Sequence, residues 1–162
     1  MNMQSDFPHS FSVFWWALTL AWAALIFCLS TQSFAPDFSR ALLARTLHFL
    51  HLHVSAGTFG FLHALLRKLA HLTEYAIFAL LLYGVPRGQR QMLWRPRRAV
   101  ICIVVAAAYS LTDEFHQLFV PGRHASLLDC GLDTIGAALA MLVLYLQEQM
   151  SLLKSIKMFS KG

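Results

Sequence analysis

Apolar residues run along this chain in four long blocks separated by short polar breaks. Residues 11–29 carry no charge, and about nineteen such positions suffice to cross a hydrocarbon core. The polar, turn-rich segment Ser30-Thr-Gln-Ser-Phe-Ala-Pro36 ends that first predicted span. Over residues 38–54, Leu42, Leu43, Leu47 and Leu50 recur at helical spacing, with Arg40, Arg45, His48 and His51 between them. That pattern predicts a short amphipathic helix lying at a membrane interface. Gly57 and Gly60 bound a predicted loop. The second span, residues 61–84, carries Arg67, Lys68, His71 and Glu74 before a clean apolar run from Tyr75 to Tyr83. The third span is expected at 99–120 and the fourth at 127–146, the latter ending in Gln147 and Glu148.

Composition agrees with a membrane protein. The chain is 57% hydrophobic and 13% charged, where a soluble domain carries about 25% charge. The fold class expected is all-α: an integral membrane four-helix bundle with a short interfacial amphipathic helix between spans one and two. A single membrane domain of residues 11–147 would be flanked by a short N-terminal segment, 1–10, and a basic tail, 148–162. Residues 1–10 contain no Lys or Arg, so a retained first helix is expected rather than a cleaved signal peptide. The net charge of +5 comes from Lys and Arg at the ends of apolar runs. No basic patch alternates with exposed aromatics, so nucleic acid is not an expected partner. Five arginines in 85–98 and three lysines in the tail oppose only Arg40 and Arg45. The positive-inside bias then places both termini and the arginine loop in the cytoplasm, and the Pro121-Gly122-Arg123 turn outside. Cys28, Cys102 and Cys130 fall in or beside apolar helices without C-x-x-C spacing, and read as buried small residues. His48, His51 and His53 have poor single-helix geometry for a metal and no carboxylate nearby; interfacial histidines are the expectation.

The ionisable residues inside the apolar blocks define a candidate site. At ~1.5 Å rise per residue, Asp113 lies roughly 21 Å above Ala99, His71 roughly 20 Å above Gly84, and Asp133 roughly 21 Å above Gln147. Three helices thus bring their ionisable groups to one level in the outer half of the bilayer. Each set is one-faced: Lys68, His71, Glu74 or Tyr75 on one helix; Ser110, Asp113 or Glu114, and Gln117 on the next; Asp129 and Asp133 on the last, continuing into Gly136, Ala137 and Ala140. Small residues allow close helix approach. The spacing predicts a polar pocket open to the outside. The alternative is a set of ion pairs, Lys68–Glu114 and Arg123–Asp129, that only pins the helices.

The run Lys68-x-x-His71-x-x-Glu74-Tyr75, then Asp113-Glu114-x-x-Gln117-x-x-x-Pro121-Gly122-Arg123, then Asp129 with Gly136, closely resembles the VanZ-like family over residue 30 to about residue 146. Position 133 departs from the family pattern, which has Asn there. The resemblance implies a small bacterial multi-pass membrane protein of the cell (inner) membrane. It also implies a link to low-level resistance to the glycopeptide antibiotic teicoplanin.

Three functions are compatible with these residues. The first is an enzyme, a hydrolase or transferase, or a binder, acting on an anionic lipid-linked or cell-envelope substrate at the outer leaflet. Lys68 and Arg123 would hold the anion. His71 would serve as general acid or base, oriented by Glu74 or Glu114, and Asp113 as nucleophile or metal ligand. Tyr75, Gln117, Asp129 and Asp133 would line the substrate site. The second is a proton-coupled carrier, which four spans without inverted repeats could form only as an oligomer; a homo-oligomer is admitted by all three readings. The third is a structural or accessory membrane protein whose polar set locks the bundle. No short metal motif is present, and neither metal nor cofactor is expected.

Overall fold

The computed structural model describes residues 9–30, 36–84, 94–120 and 125–159, with side chains described for 13–30, 39–84, 94–120 and 125–158. The described residues form five α-helices and no strand: α1 (His9–Ser30), α2 (Pro36–Phe49), α3 (Ala56–Gly84), α4 (Pro96–Gln117) and α5 (Leu127–Phe159). Three of them are long and apolar enough to cross a membrane: Val13–Ser30, Pro96–Gln117 and Leu127–Met158. The 29-residue helix α3 matches them in length, but Arg67, Lys68 and Glu74 fall within its apolar stretch.

The helices pack around α3 and α5, which make the most extensive interface; α4 lies against both, α1 against α3 and α4, and α2 against α3. The core is built of small residues and a few large rings. Ala79, Ala99, Ala106, Ala137 and Ala140 are buried between helices, with Tyr75, Phe78, Tyr83 and Met141 filling the remaining space. Small side chains let helix backbones approach when lipid supplies no hydrophobic drive for association. The closest approach is at Gly136 on α5. A Cβ there would land on the Leu72 carbonyl oxygen of α3, with Leu72 carbon atoms at 3.0 and 3.1 Å. No other residue fits that crossing without moving a backbone.

Two ring donors tie α1 to its neighbours. Trp22 Nε1 donates to the Glu74 carbonyl at 3.0 Å, and the Tyr109 hydroxyl to the Ala23 carbonyl at 2.7 Å. Helix α2 is fastened by a 2.8 Å hydrogen bond between Ser39 Oγ and His63 Nε2. Its end is made by His51. That residue takes a positive φ of 54°, while Leu52 N bonds Leu47 O at 2.9 Å and His51 N bonds His48 O at 3.0 Å. This is the left-handed reversal that usually falls to glycine.

Boundaries differ from the sequence expectation in several elements; α2, expected over 38–54, covers Pro36–Phe49. The glycines of the expected 57–60 loop lie inside α3, because Ser55 caps the helix. Its Oγ accepts the Thr58 N–H at 3.1 Å, and that bond satisfies a donor the first turn would otherwise leave open. Helix α4 starts three residues earlier than expected, at Pro96, and ends at Gln117. Helix α5 continues through Gln147 and Glu148 to Phe159. Its 33 residues span ~50 Å, well beyond a ~30 Å hydrocarbon core.

Candidate functional site

At the level of the α3–α5 crossing, four helices turn polar groups toward one another. Asp133 lies one turn before Gly136, on the face of α5 that meets α3. The close approach at Gly136 therefore carries Asp133 up to His71, the neighbour of Leu72. His71 Nδ1 stands 3.3 Å from Asp133 Oδ1, an ion-pair distance that is long for a charge-assisted hydrogen bond. The second carboxylate oxygen of Asp133 accepts the Ser110 hydroxyl of α4 at 2.5 Å. One carboxylate thus joins three helices.

A second set sits one turn further along α4. Gln117 Nε2 donates to Asp113 Oδ2 at 3.1 Å and to Ser30 Oγ, the last residue of α1, at 2.9 Å. Asp113 is within electrostatic range of both His71 and Asp133, so the two sets form one cluster. Beside them, Glu114 Oε2 accepts the Ser126 backbone N–H at 2.5 Å. Ser126 in turn caps α5, its Oγ 3.4 Å from the Asp129 N–H. Glu114 therefore anchors the entry of the last helix.

Burial decides what these groups can do. Asp133 is 1% exposed, Gln117 2%, and Asp113 and Glu114 4% each. Charges at that depth are rare and expensive unless partnered. Partnering is incomplete: among the described residues nothing hydrogen-bonds Asp113 Oδ1 or Glu114 Oε1, while the buried Tyr75 hydroxyl faces Ser110. Among the described residues three acids face one histidine, Asp113, Glu114 and Asp133 against His71. Among the described residues, no group of three or more His, Cys, Asp and Glu side chains is disposed to hold a metal ion.

Most of the sequence-selected residues meet. His71, Tyr75, Asp113, Gln117 and Asp133 belong to the cluster, and Glu114 flanks it. One assignment is corrected. The group that holds His71 is Asp133, not Glu74 or Glu114. Glu114 is turned to the Ser126 N–H. Glu74 is half-buried and adds to the field at His71 from one turn along α3. Position 133, expected only to line the site, is thus its central acceptor. Lys68 is exposed, and Arg123 lies outside the described residues. Asp129 is half-buried in the first turn of α5. The expected Lys68–Glu114 pair does not appear among the described residues, and the expected Arg123–Asp129 pair falls on a residue outside them.

Ser30, Ser110 and Ser126 supply hydrogen bonds that the ionisable residues alone do not predict. Ser110 shares a face with Asp113 and Gln117 in the sequence pattern. Ser30 ends an apolar run at the same level, and that position was its only signal.

No curated relative and no solved structure matches the chain. A family model described as VanZ/LLP1 matches residues 14–148, a stretch containing every member of the cluster. With most of its length matched, including Lys68, His71, Asp113, Glu114 and Asp133, the chain belongs to the VanZ/LLP1 family.

Proposed function

We propose that the polar cluster is an acid–base site that binds, and acts on, the head of an anionic lipid-linked component of the bacterial cell envelope. In this reading α1, α3, α4 and α5 span the cytoplasmic membrane with both termini inside, and α2 lies at the outer interface. The cluster then opens toward the extracytoplasmic side. One observation carries the reading: two buried carboxylate oxygens, Asp113 Oδ1 and Glu114 Oε1, lack a hydrogen-bond partner among the described residues. A lock between helices gains from satisfying every buried polar atom, since each unpaired one costs about 1–3 kcal/mol. A site that receives a ligand keeps such atoms for it.

The acidity of the cluster divides the work. Three carboxylates repel a phosphate, so the anionic part of the substrate belongs with Lys68, a turn nearer the outer end of α3, and with Arg123. The cluster itself suits a hydroxyl or amine of the same molecule. His71, held by Asp133, exchanges a proton with that group, and Asp113 takes the opposite side. An altered envelope component of this kind connects the protein to tolerance of glycopeptides such as teicoplanin, as its family suggests.

Asp113→Asn and His71→Gln test the proposal in cells lacking the native copy. Both keep shape and hydrogen bonding but lose the proton chemistry. The expected result is normal membrane abundance and thermal stability with loss of glycopeptide tolerance. Full tolerance in both variants at normal abundance overturns it.

One observation favours a second reading, an assembly lock. Asp133 bridges α3 and α4 at the point where Gly136 meets the Leu72 backbone. If the cluster is only a lock, His71→Leu with Asp133→Leu leaves tolerance intact and stability unchanged or raised.

A further inference from the structure

The end of the molecule away from the cluster holds a groove of about 560 Å³, lined by Trp16 of α1, Leu82 of α3, and Arg95, Arg97, Arg98, Ile101, Cys102 and Val105 of α4 and its cap. Its lining is almost wholly apolar: Arg95, Arg97 and Arg98 contribute mainly their carbon stems, beside the first turn of α4. That turn has no acidic residue, and its N-cap, Arg95, makes no side-chain capping bond. Pro96 has no N–H and the Ala99 N–H bonds the Arg95 carbonyl, so the Arg97 and Arg98 amide groups, with the helix dipole, are what that turn offers an anion. Arg98 to Val105 covers ~10 Å along α4, the reach of about half an acyl chain.

The basic end is built, not floppy. Tyr83 is fully buried, and its hydroxyl accepts the Arg95 N–H at 3.0 Å. The Arg98 guanidinium lies over the Tyr83 ring, 5.7 Å from its centroid. Trp94 packs on Tyr83 at 5.7 Å and on Tyr145 of α5 at 5.5 Å. The turn that carries the arginines is thereby fastened to α3 and α5. Asp113 is fifteen residues up α4 from Arg98, or ~22 Å, so this groove is separate from the cluster.

We propose that the groove binds one anionic phospholipid of the adjoining leaflet. Its phosphate sits among Arg95, Arg97, Arg98 and the α4 amide groups, and one acyl chain lies against Trp16, Leu82, Ile101 and Val105. Charge selects the headgroup, and the apolar floor distinguishes a lipid from a free anion. Nothing in this inference depends on what the polar cluster does.

The test is native mass spectrometry of the full-length chain in detergent, with phosphatidylglycerol and phosphatidylcholine of identical acyl chains in competition. The wild type should retain phosphatidylglycerol over phosphatidylcholine by roughly tenfold. Arg95→Gln with Arg97→Gln, which leaves the Arg98–Tyr83 stack in place, should abolish the preference. Val105→Trp, which fills the groove and leaves all three arginines, should reduce phosphatidylglycerol retention to the phosphatidylcholine level. Thermal unfolding without added lipid checks that both variants fold. Equal retention of the two lipids by the wild type overturns the proposal. So does a preference that survives Val105→Trp, which would reduce the site to basic surface. Displacement of the lipid by equimolar glycerol phosphate would make it a free-anion site, and a dimer lost in Val105→Trp would make it an interface between copies of this chain. Either result also overturns it.

Discussion

The two ends of α4 carry charge in opposite ways. Near its C-terminus Asp113 and Glu114 are buried, held by Gln117 and by the Ser126 N–H. At its N-terminus Arg95 and Arg97 are exposed and Arg98 rests on a ring. The arginines sit at a helix end, where long side chains reach polar surroundings at little cost. The acids sit inside, where every ionised oxygen needs a partner. The first arrangement fits any membrane helix end. The second requires neighbouring helices to be brought very close, and Gly136 on Leu72 is how the fold does so.

Breaking the buried end should therefore cost most. His71→Leu leaves the Asp133 carboxylate with Ser110 alone. The expected loss is about 3 kcal/mol, the low end for a broken buried pair, because the carboxylate can take up a proton instead. Thermal unfolding in detergent measures it. In a double-mutant cycle with Asp133→Leu, the coupling should be well above the ~0.5 kcal/mol seen for independent sites. Additive losses would mean that the two side chains do not interact.

Gly136→Ala comes next, at roughly 1–3 kcal/mol for forced overpacking. Gly131→Ala is its control, since nothing lies within 4 Å of a Cβ there; it should gain ~0.5–1 kcal/mol from helix propensity. Equal melting shifts of the same sign would remove the crossing from the account.

At the arginine end, effects should be smaller. Tyr83→Phe loses the bond from the Arg95 N–H, worth about 0.5–1.5 kcal/mol, with no effect on glycopeptide tolerance. His51→Gly, at the end of α2, should stabilise the chain by ~1 kcal/mol by relieving a left-handed residue. Calorimetry resolves both, and a destabilised His51→Gly would show that the imidazole makes an unrecognised contact.

How much of this was readable beforehand follows from what each signal measures. Hydropathy reports solubility in lipid, so the apolar helices and their order were legible. Residue spacing along a helix gives level and face: it puts His71, Asp113 and Asp133 at one height, with Tyr75 and Gln117 on the same faces a turn away. Rotation between helices is not in that signal. Glu74 and Glu114 were as eligible as Asp133 to hold His71 until the Gly136 crossing fixed which face of α5 meets α3. Gly57 and Gly60 looked like a break because glycine weakens a helix, but Ser55 supplies a cap that outweighs them. The tail beyond Glu148 looked like a basic extension. Its lysines at 154 and 157 instead ride an uninterrupted α5, flanked by Leu152, Leu153, Ile156 and Met158.

The central claim is that the cluster can be reached from outside the cell, and cysteine accessibility tests it most directly. Cys28, Cys102 and Cys130 are first replaced by alanine. A cysteine is then placed at Asp113 or, as a deeper control two turns down the same face, at Ala106. A membrane-impermeant maleimide is applied from each side. The account predicts labelling at position 113 from the extracytoplasmic side, slow because Asp113 is buried but clearly faster than at 106. Labelling of 113 only from the arginine-rich side, or no faster than that of 106, would contradict it.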